Sequence, residues 1–118
     1  MIAIQRALKY IGDEGCYFLC LRKMAGRKDE DLLKDYFFCL ENGYIDRDCY
    51  VKNPIAILSA WGVKYRNVRK DSSYGQIVVY KHNANLHFCL NTDEGLFDPL
   101  GDSNTVKYGH VDSYRLFW

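Results

Sequence analysis

The sequence predicts an α+β fold in which N-terminal helices pack on a C-terminal antiparallel sheet. Apolar residues recur at helical spacing through the first half of the chain. The second half instead contains short runs that are β-branched or that alternate between apolar and polar residues, as strands do. Helices followed by strands, rather than helices alternating with strands, are typical of α+β proteins.

Four helices are predicted in the first half. In the first of them, Ile4, Leu8 and Ile11 lie on one face. Glycine commonly follows the last turn of a helix, and each of the other three predicted helices ends before one. The second covers residues 15–25, and the third lies between a cap at Asp29 or Asp31 and Gly43. The fourth covers residues 54–61 and begins with the proline of the start signal Asn-Pro.

The second half contains five predicted strands and one clear turn. The strands cover residues 63–68, 76–81, 86–91, 96–98 and 114–118. The turn, Thr-Asp-Glu-Gly at residues 92–95, joins the third and fourth of them into a hairpin. Residues 101–104 are predicted to be a loop, of a kind whose backbone N–H groups can surround an anion.

Length and composition predict one compact domain that spans residues 1–118. Hydrophobic residues make up 48% of the chain and charged residues 26%, which excludes a disordered protein. The net charge of +1 gives no bulk attraction to nucleic acid, so we expect no nucleic-acid partner. The basic run at residues 65–70 is interpreted as a solvated strand edge.

The sequence also predicts a cytoplasmic protein. No apolar run approaches the roughly 18 residues that a membrane-spanning helix needs, so we expect no membrane association. The N-terminus lacks the charged region, apolar region and cleavage site that a signal peptide has in that order.

Five cysteines are present, and an odd number argues against a disulfide framework. We expect most of them to be buried as small apolar residues. Cysteines and histidines are both available as ligands for a zinc site. No Cys-x-x-Cys pair occurs, so we expect neither a metal nor another cofactor.

Three residues form a candidate catalytic triad: Cys16, His87 and Asp98. Cys16 follows Gly15 at the start of a predicted helix, where unpaired N–H groups and the helix dipole favour a thiolate. A nearby imidazole would complete the activation of the thiol, and a third group would orient the imidazole. His82 and His110 are alternative bases, and we expect His82 to be exposed.

The predicted hairpin brings two of these residues together. If the loop centres on residues 93 and 94, position 89 pairs with position 98, and His87 and Cys89 share one face of their strand. Asp98 then lies on that same face, diagonal to His87 at about 7–8 Å. Pro99 favours an extended backbone at Asp98, which restricts the direction of its carboxylate.

These motifs resemble the papain-superfamily cysteine peptidases, and most closely the branch that cleaves double-glycine leader peptides, with its stand-alone relatives. The resemblance covers about residues 12–118. It rests on Gly-Cys-Tyr-Phe-Leu-Cys-Leu at residues 15–21, Leu-His-Phe-Cys-Leu at 86–90 and Phe-Asp-Pro-Leu-Gly at 97–101. It implies a compact papain-like domain, with a helical half that holds the cysteine and an antiparallel sheet that holds the histidine.

The resemblance implies that Cys16 is the nucleophile, His87 the general base and then acid, and Asp98 the residue that orients the histidine. The function predicted first is therefore a thiol-dependent hydrolase acting on a peptide or other acyl bond. One departure motivates an alternative. The family places a glutamine shortly before the cysteine, whereas the nearest glutamine here is Gln5 and position 10 is Tyr10. The alternative is a weak or inactive papain-like fold that binds a protein as an inhibitor or adaptor.

Overall fold

A computed structural model describes residues 3–118 and confirms the α+β class. The chain divides into two compact units. The first, which runs to Lys64 and is called the helical unit below, contains the first four α-helices. The second, Tyr65–Trp118, is called the sheet unit and contains a five-stranded antiparallel sheet and one short helix.

The helices of the helical unit lie where the sequence predicts them. They are α1 (Ile4–Glu14), α2 (Cys16–Met24), α3 (Leu32–Glu41), which a 3-10 turn at Asp29–Asp31 precedes, and α4 (Pro54–Ala60). The predicted cap of α4 is confirmed, because the side chain of Asn53 accepts a hydrogen bond from the N–H of Ala56 at 3.0 Å. The predicted glycine signals are confirmed as well: Gly26 and Gly43 follow α2 and α3 with φ angles of 65° and 73°.

The buried face of α1 differs from the predicted one. Ala7 and Ile11 are buried, whereas Ile4 and Leu8 are 56% and 45% exposed. The helix packs against α2 and α3 on the side of Ala7, whose small side chain permits close approach of the backbones. The helix itself is confirmed, but the apolar face predicted from Ile4, Leu8 and Ile11 is buried only at Ile11.

A buried ion-pair network joins α2 to α3 in the helical unit. The carboxylate of Asp35 accepts a hydrogen bond from Arg22 Nε at 3.0 Å and two from Arg27, at 3.0 and 2.7 Å. The side chains of Asp35 and Arg22 are 3% and 7% exposed, so these charges are compensated by each other rather than by water. Sequence analysis did not single out these residues.

The sheet unit has strand order β1-β5-β2-β3-β4, and every neighbouring pair is antiparallel. The strands are β1 (Val68–Asp71), β2 (Ile77–His82), β3 (Asn85–Thr92), β4 (Gly95–Phe97) and β5 (His110–Phe117), and a helix, α5 (Asn104–Tyr108), precedes β5. The three central predictions, at residues 76–81, 86–91 and 96–98, are confirmed to within two residues.

The strand predicted at residues 63–68 was wrong, since β1 begins only at Val68. The reason lies at the end of α4, where the N–H of Val63 donates to the carbonyl of Leu58 at 2.9 Å and so closes the last turn of that helix. The N–H groups of Arg66 and Asn67 then bind the carbonyl of Trp118. Residues 63–67 therefore close the end of α4 and connect it to β1, although their alternation of apolar and polar residues is typical of a strand.

Two features of the sheet unit were not predicted. Strand β5 begins at His110, four residues before the predicted start. Helix α5 begins at Asn104, the last residue of the predicted loop, and Ser103 caps it by accepting a hydrogen bond from the N–H of Val106 at 3.3 Å. Within residues 3–118, no helix is both long enough and apolar enough to cross a bilayer.

Candidate active site

The hairpin formed by β3 and β4 has the predicted register. Leu90 pairs with Phe97 and Thr92 with Gly95. Continuing this register by one residue places Cys89 opposite Asp98. His87 lies two residues before Cys89 and therefore on the same face of β3. The turn at residues 92–95 thus sets the register of the hairpin, and this register places Asp98 on the same face of the sheet as His87.

His87 and Asp98 form a buried imidazole–carboxylate pair. The Nε2 atom of His87 lies 2.6 Å from Oδ1 of Asp98. Their side chains are only 5% and 9% exposed. A hydrogen bond that involves a charged group and is shielded from water in this way is stronger than one at the surface. The structure therefore brings together the two residues that sequence analysis predicted as base and orienting group.

The segment that follows Asp98 holds its carboxylate from the other side. The N–H of Leu100 donates to Oδ1 at 2.9 Å, and the N–H of Ser103 donates to Oδ2 at 3.1 Å. The N–H of Gly101 donates to the backbone carbonyl of Asp98 at 2.9 Å. The loop predicted at residues 101–104 as a possible anion site thus helps to bind an anion of the chain itself, the carboxylate of Asp98. The roles of Leu100 and Ser103 were not predicted.

These contacts determine the charge of Asp98. Burial on its own raises the pKa of a carboxyl group, but the hydrogen bonds from His87, Leu100 and Ser103 outweigh burial and lower the pKa of Asp98 below its ordinary value. Asp98 is therefore ionised at neutral pH. An ionised carboxylate only accepts hydrogen bonds, so the proton in the pair lies on Nε2 of His87. In the neutral imidazole, the basic nitrogen is then Nδ1.

Cys89 and Tyr80 complete this face of the sheet. Cys89 is fully buried, and one ligand atom from each of His87, Cys89 and Asp98 lies within 4.8 Å of the others. Tyr80 pairs with His87 across β2 and β3. Burial raises the pKa of Tyr80, and the neighbouring Cys89, Tyr114 and Asp98 raise it further, so its hydroxyl is neutral near pH 7.

Cys16 is the first residue of α2, in the helical unit. A side chain at Gly15 would place its Cβ 2.3 Å from the carbonyl oxygen of Ile11, so only glycine fits where α1 ends and α2 begins. Cys16 is partly exposed, whereas the other four cysteines are buried, and none of the five is in a disulfide. The prediction that most cysteines are buried is confirmed. His87 and Asp98 belong to the sheet unit, and the role of Cys16 stays a prediction.

The alternative bases lie in different surroundings. His82 ends β2 and is half-buried rather than exposed, with its ring 6.3 Å from that of Tyr108, because α5 packs against this strand. His110 is exposed at the start of β5. Gln5, the glutamine nearest Cys16 in the sequence, is exposed on α1.

The chain belongs to a family described as a protein of unknown function, DUF261, whose sequence model matches residues 4–118. The match covers both units, so the helices and the sheet belong to the same family. No curated protein matches the chain significantly, and no solved structure does so.

Proposed function

We propose that this protein is a thiol-dependent hydrolase that acts on a peptide or other acyl bond, with Cys16 as nucleophile and the His87–Asp98 pair as its base. The observation that carries the proposal is the buried pair itself, with 2.6 Å between Nε2 and Oδ1. In thiol and serine hydrolases, an acidic or amide side chain holds the histidine base in one tautomer and orientation, as Asp98 holds His87 here.

The proposed reaction uses the nitrogen of His87 opposite to the one that binds Asp98. Nδ1 accepts the proton of the Cys16 thiol, and the thiolate attacks the carbonyl carbon of the substrate. The imidazolium gives this proton to the leaving group as the acyl–leaving-group bond breaks, which leaves a thioester on Cys16. Nδ1 then removes a proton from water, the water attacks the thioester, and the acid product and the thiol are released. Asp98 stays ionised and stabilises the imidazolium.

The position of Cys16 supports its assignment as nucleophile. The first N–H groups of a helix have no acceptor within the helix, and together with the helix dipole they favour an anion there. The partial exposure of Cys16, in contrast to the burial of the other cysteines, also suits a group that must reach a substrate.

The resemblance to the papain superfamily supports the same assignment. In that family a cysteine opens a helix, and a histidine and its orienting residue lie on an antiparallel sheet. The chain has a cysteine at the first position of α2, and it has the His87–Asp98 pair across β3 and the residue after β4. We therefore propose that the family model matched here describes papain-like proteins.

Cys89 is the alternative candidate for the nucleophilic thiol. It lies within 4.8 Å of the ligand atoms of His87 and Asp98, but it is fully buried, so a substrate carbonyl cannot reach it in the folded protein. Cys16 and Cys89 thus form a matched pair for experiment. One is accessible at a helix start, and the other lies beside the imidazole.

The test is covalent labelling of the reduced, full-length protein with a biotinylated peptidyl vinyl sulfone, with the modified residue located by mass spectrometry. We expect one adduct, on Cys16. Cys16→Ala abolishes it, Cys89→Ala retains it, and His87→Gln slows it at least about a hundredfold, as loss of a general base does. Circular dichroism confirms that each variant is folded.

Two results would overturn the proposal. The first is labelling on Cys89, or labelling that Cys16→Ala leaves unchanged. The second is a folded His87→Gln protein that reacts as fast as the native one. A folded native protein that the probe does not modify would instead favour the alternative, a papain-like protein that binds a partner without catalysis.

A further inference from the structure

We propose that His87, Cys89 and Asp98 form a binding site for a soft divalent cation, of which Zn²⁺ is the representative. One ligand atom of each residue, an imidazole nitrogen, a thiol sulfur and a carboxylate oxygen, lies within 4.8 Å of the other two. Sequence analysis predicted no metal site, because the chain has no Cys-x-x-Cys pair. The hairpin instead assembles the ligands across two strands.

The three donor types select the metal. Nitrogen, sulfur and oxygen from His, Cys and Asp are all ordinary Zn²⁺ ligands, whereas Mg²⁺ and Ca²⁺ prefer oxygen ligands alone. The thiolate is the soft ligand that discriminates between these classes of cation. Three protein ligands leave the fourth position of a tetrahedral ion to water. Catalytic zinc sites likewise have three protein ligands and one position for water or substrate.

The present geometry needs only a small rearrangement to accept the ion. At Zn–N and Zn–O distances near 2.05 Å, tetrahedral ligands lie about 3.3 Å apart, and a sulfur at 2.3 Å lies about 3.6 Å from either of them. Nε2 of His87 and Oδ1 of Asp98 are now 2.6 Å apart, so they must separate slightly. The sulfur of Cys89, which lies within 4.8 Å of the other two ligand atoms, must approach them by about 1.2 Å at most.

The charge balance of the occupied site suits its burial. The ion replaces the proton that Nε2 shares with Oδ1, and the imidazole carries its proton on Nδ1 instead. Cys89 releases its thiol proton to solvent. The charges of Zn²⁺, the thiolate and the carboxylate of Asp98 then sum to zero, and a neutral cluster avoids the cost of burying a net charge.

Metal binding and the proposed hydrolysis exclude each other. Once Nδ1 carries the proton, His87 no longer has the lone pair that would accept the proton of Cys16. Zn²⁺ is therefore expected to inhibit the hydrolase. This consequence rests on the proposed function, but the metal site does not, so binding is measured here without any substrate.

The test is titration of the reduced, metal-free, full-length protein with Co²⁺, which reports a thiolate ligand through a charge-transfer absorption band. We expect the band to saturate at one equivalent, Zn²⁺ to displace Co²⁺, and Mg²⁺ in excess to leave the band unchanged. Cys89→Ala and Cys89→Ser should each abolish the band. Cys16→Ala and Cys39→Ala, the second of which removes another buried cysteine, should retain it.

Asp98→Asn distinguishes a metal site with three ligands from Co²⁺ binding by the thiol of Cys89 alone. It should weaken Co²⁺ binding at least about tenfold, the lower end of the loss that follows removal of even an outer-shell partner. The proposal is overturned if the native protein shows no thiolate–Co²⁺ band. It is also overturned if the band survives in folded Cys89→Ala, or if Cys16→Ala abolishes it. Because the native titration alone can refute the site, the proposal stays testable even if a Cys89 variant does not fold. Failure of vinyl sulfone labelling would leave these results unaffected.

Discussion

Replacing Asp98 with alanine tests the central pair of the candidate site. The substitution removes the acceptor of three hydrogen bonds, from Nε2 of His87 and from the N–H groups of Leu100 and Ser103. A hydrogen bond to a charged group contributes about 1.5–3 kcal/mol, and we assign each backbone N–H about 1 kcal/mol. Since the Asp98 side chain is only 9% exposed, water does not replace the lost acceptor. We expect the sheet unit to lose about 3–5 kcal/mol of stability.

The assay is urea unfolding followed by tryptophan fluorescence. In a Trp61→Phe background, Trp118 is the only tryptophan and reports the sheet unit. With a denaturant dependence of about 1.5 kcal/mol per molar urea, the midpoint should fall by about 2–3 M. Asp98→Asn keeps one acceptor oxygen, so it should cost about half as much as alanine. This conservative variant also gives a measurable transition if the alanine variant is largely unfolded.

A second measurement addresses the proton of the pair. Nitrogen NMR of the native protein should show the proton on Nε2 of His87, and folded Asp98→Ala, which has no acceptor, should lose that preference, while exposed His110 provides the reference signal. A loss of less than 1 kcal/mol in Asp98→Ala, or a native His87 with its proton on Nδ1, would refute the account of an ionised carboxylate that holds the imidazole.

Two further predictions concern other charged groups. Asp35→Asn leaves the buried Arg22 without its carboxylate and should destabilise the helical unit by about 3–5 kcal/mol, measured through Trp61 fluorescence in a Trp118→Phe background. Asp31→Asn, its control, removes an ion pair at 3.9 Å that is about one-third exposed and should cost under about 0.5 kcal/mol. The N–H of Ser73 lowers the pKa of Asp71. Native protein should therefore exceed Asp71→Asn in stability above about pH 4, and the difference should vanish as pH falls through the native pKa; a pH-independent difference would contradict this.

The paired part of the candidate site could be predicted because a strand has a period of two residues. Once the turn at residues 92–95 was recognised, the position of His87 relative to Asp98 followed from counting, and the observed register confirms it. The same counting placed Cys89 on this face. The register alone did not predict the role that we propose for Cys89, that of a third metal ligand beside His87 and Asp98.

The features that sequence analysis missed depend on packing or on very short elements. Helix α5 has five residues, too few for an apolar period to be visible. Arg22 and Asp35 are thirteen positions apart, and their burial depends on how α2 meets α3. The segment that includes Val63 has strand-like alternation, but the end of α4 engages its backbone instead. In each case tertiary contacts outweigh the local pattern.

The candidate pair is built from one contiguous stretch of chain. Eleven positions separate His87 from Asp98, whereas the bond from Gln76 to Phe117 spans forty-one. A hairpin closes in about 1–10 μs, before contacts between distant segments have formed. The imidazole and its carboxylate can therefore meet early in folding, ahead of the addition of β5 to the sheet. During synthesis, the pair and both N–H groups that bind the carboxylate of Asp98 are already in the chain once Ser103 has been added, before any residue of β5.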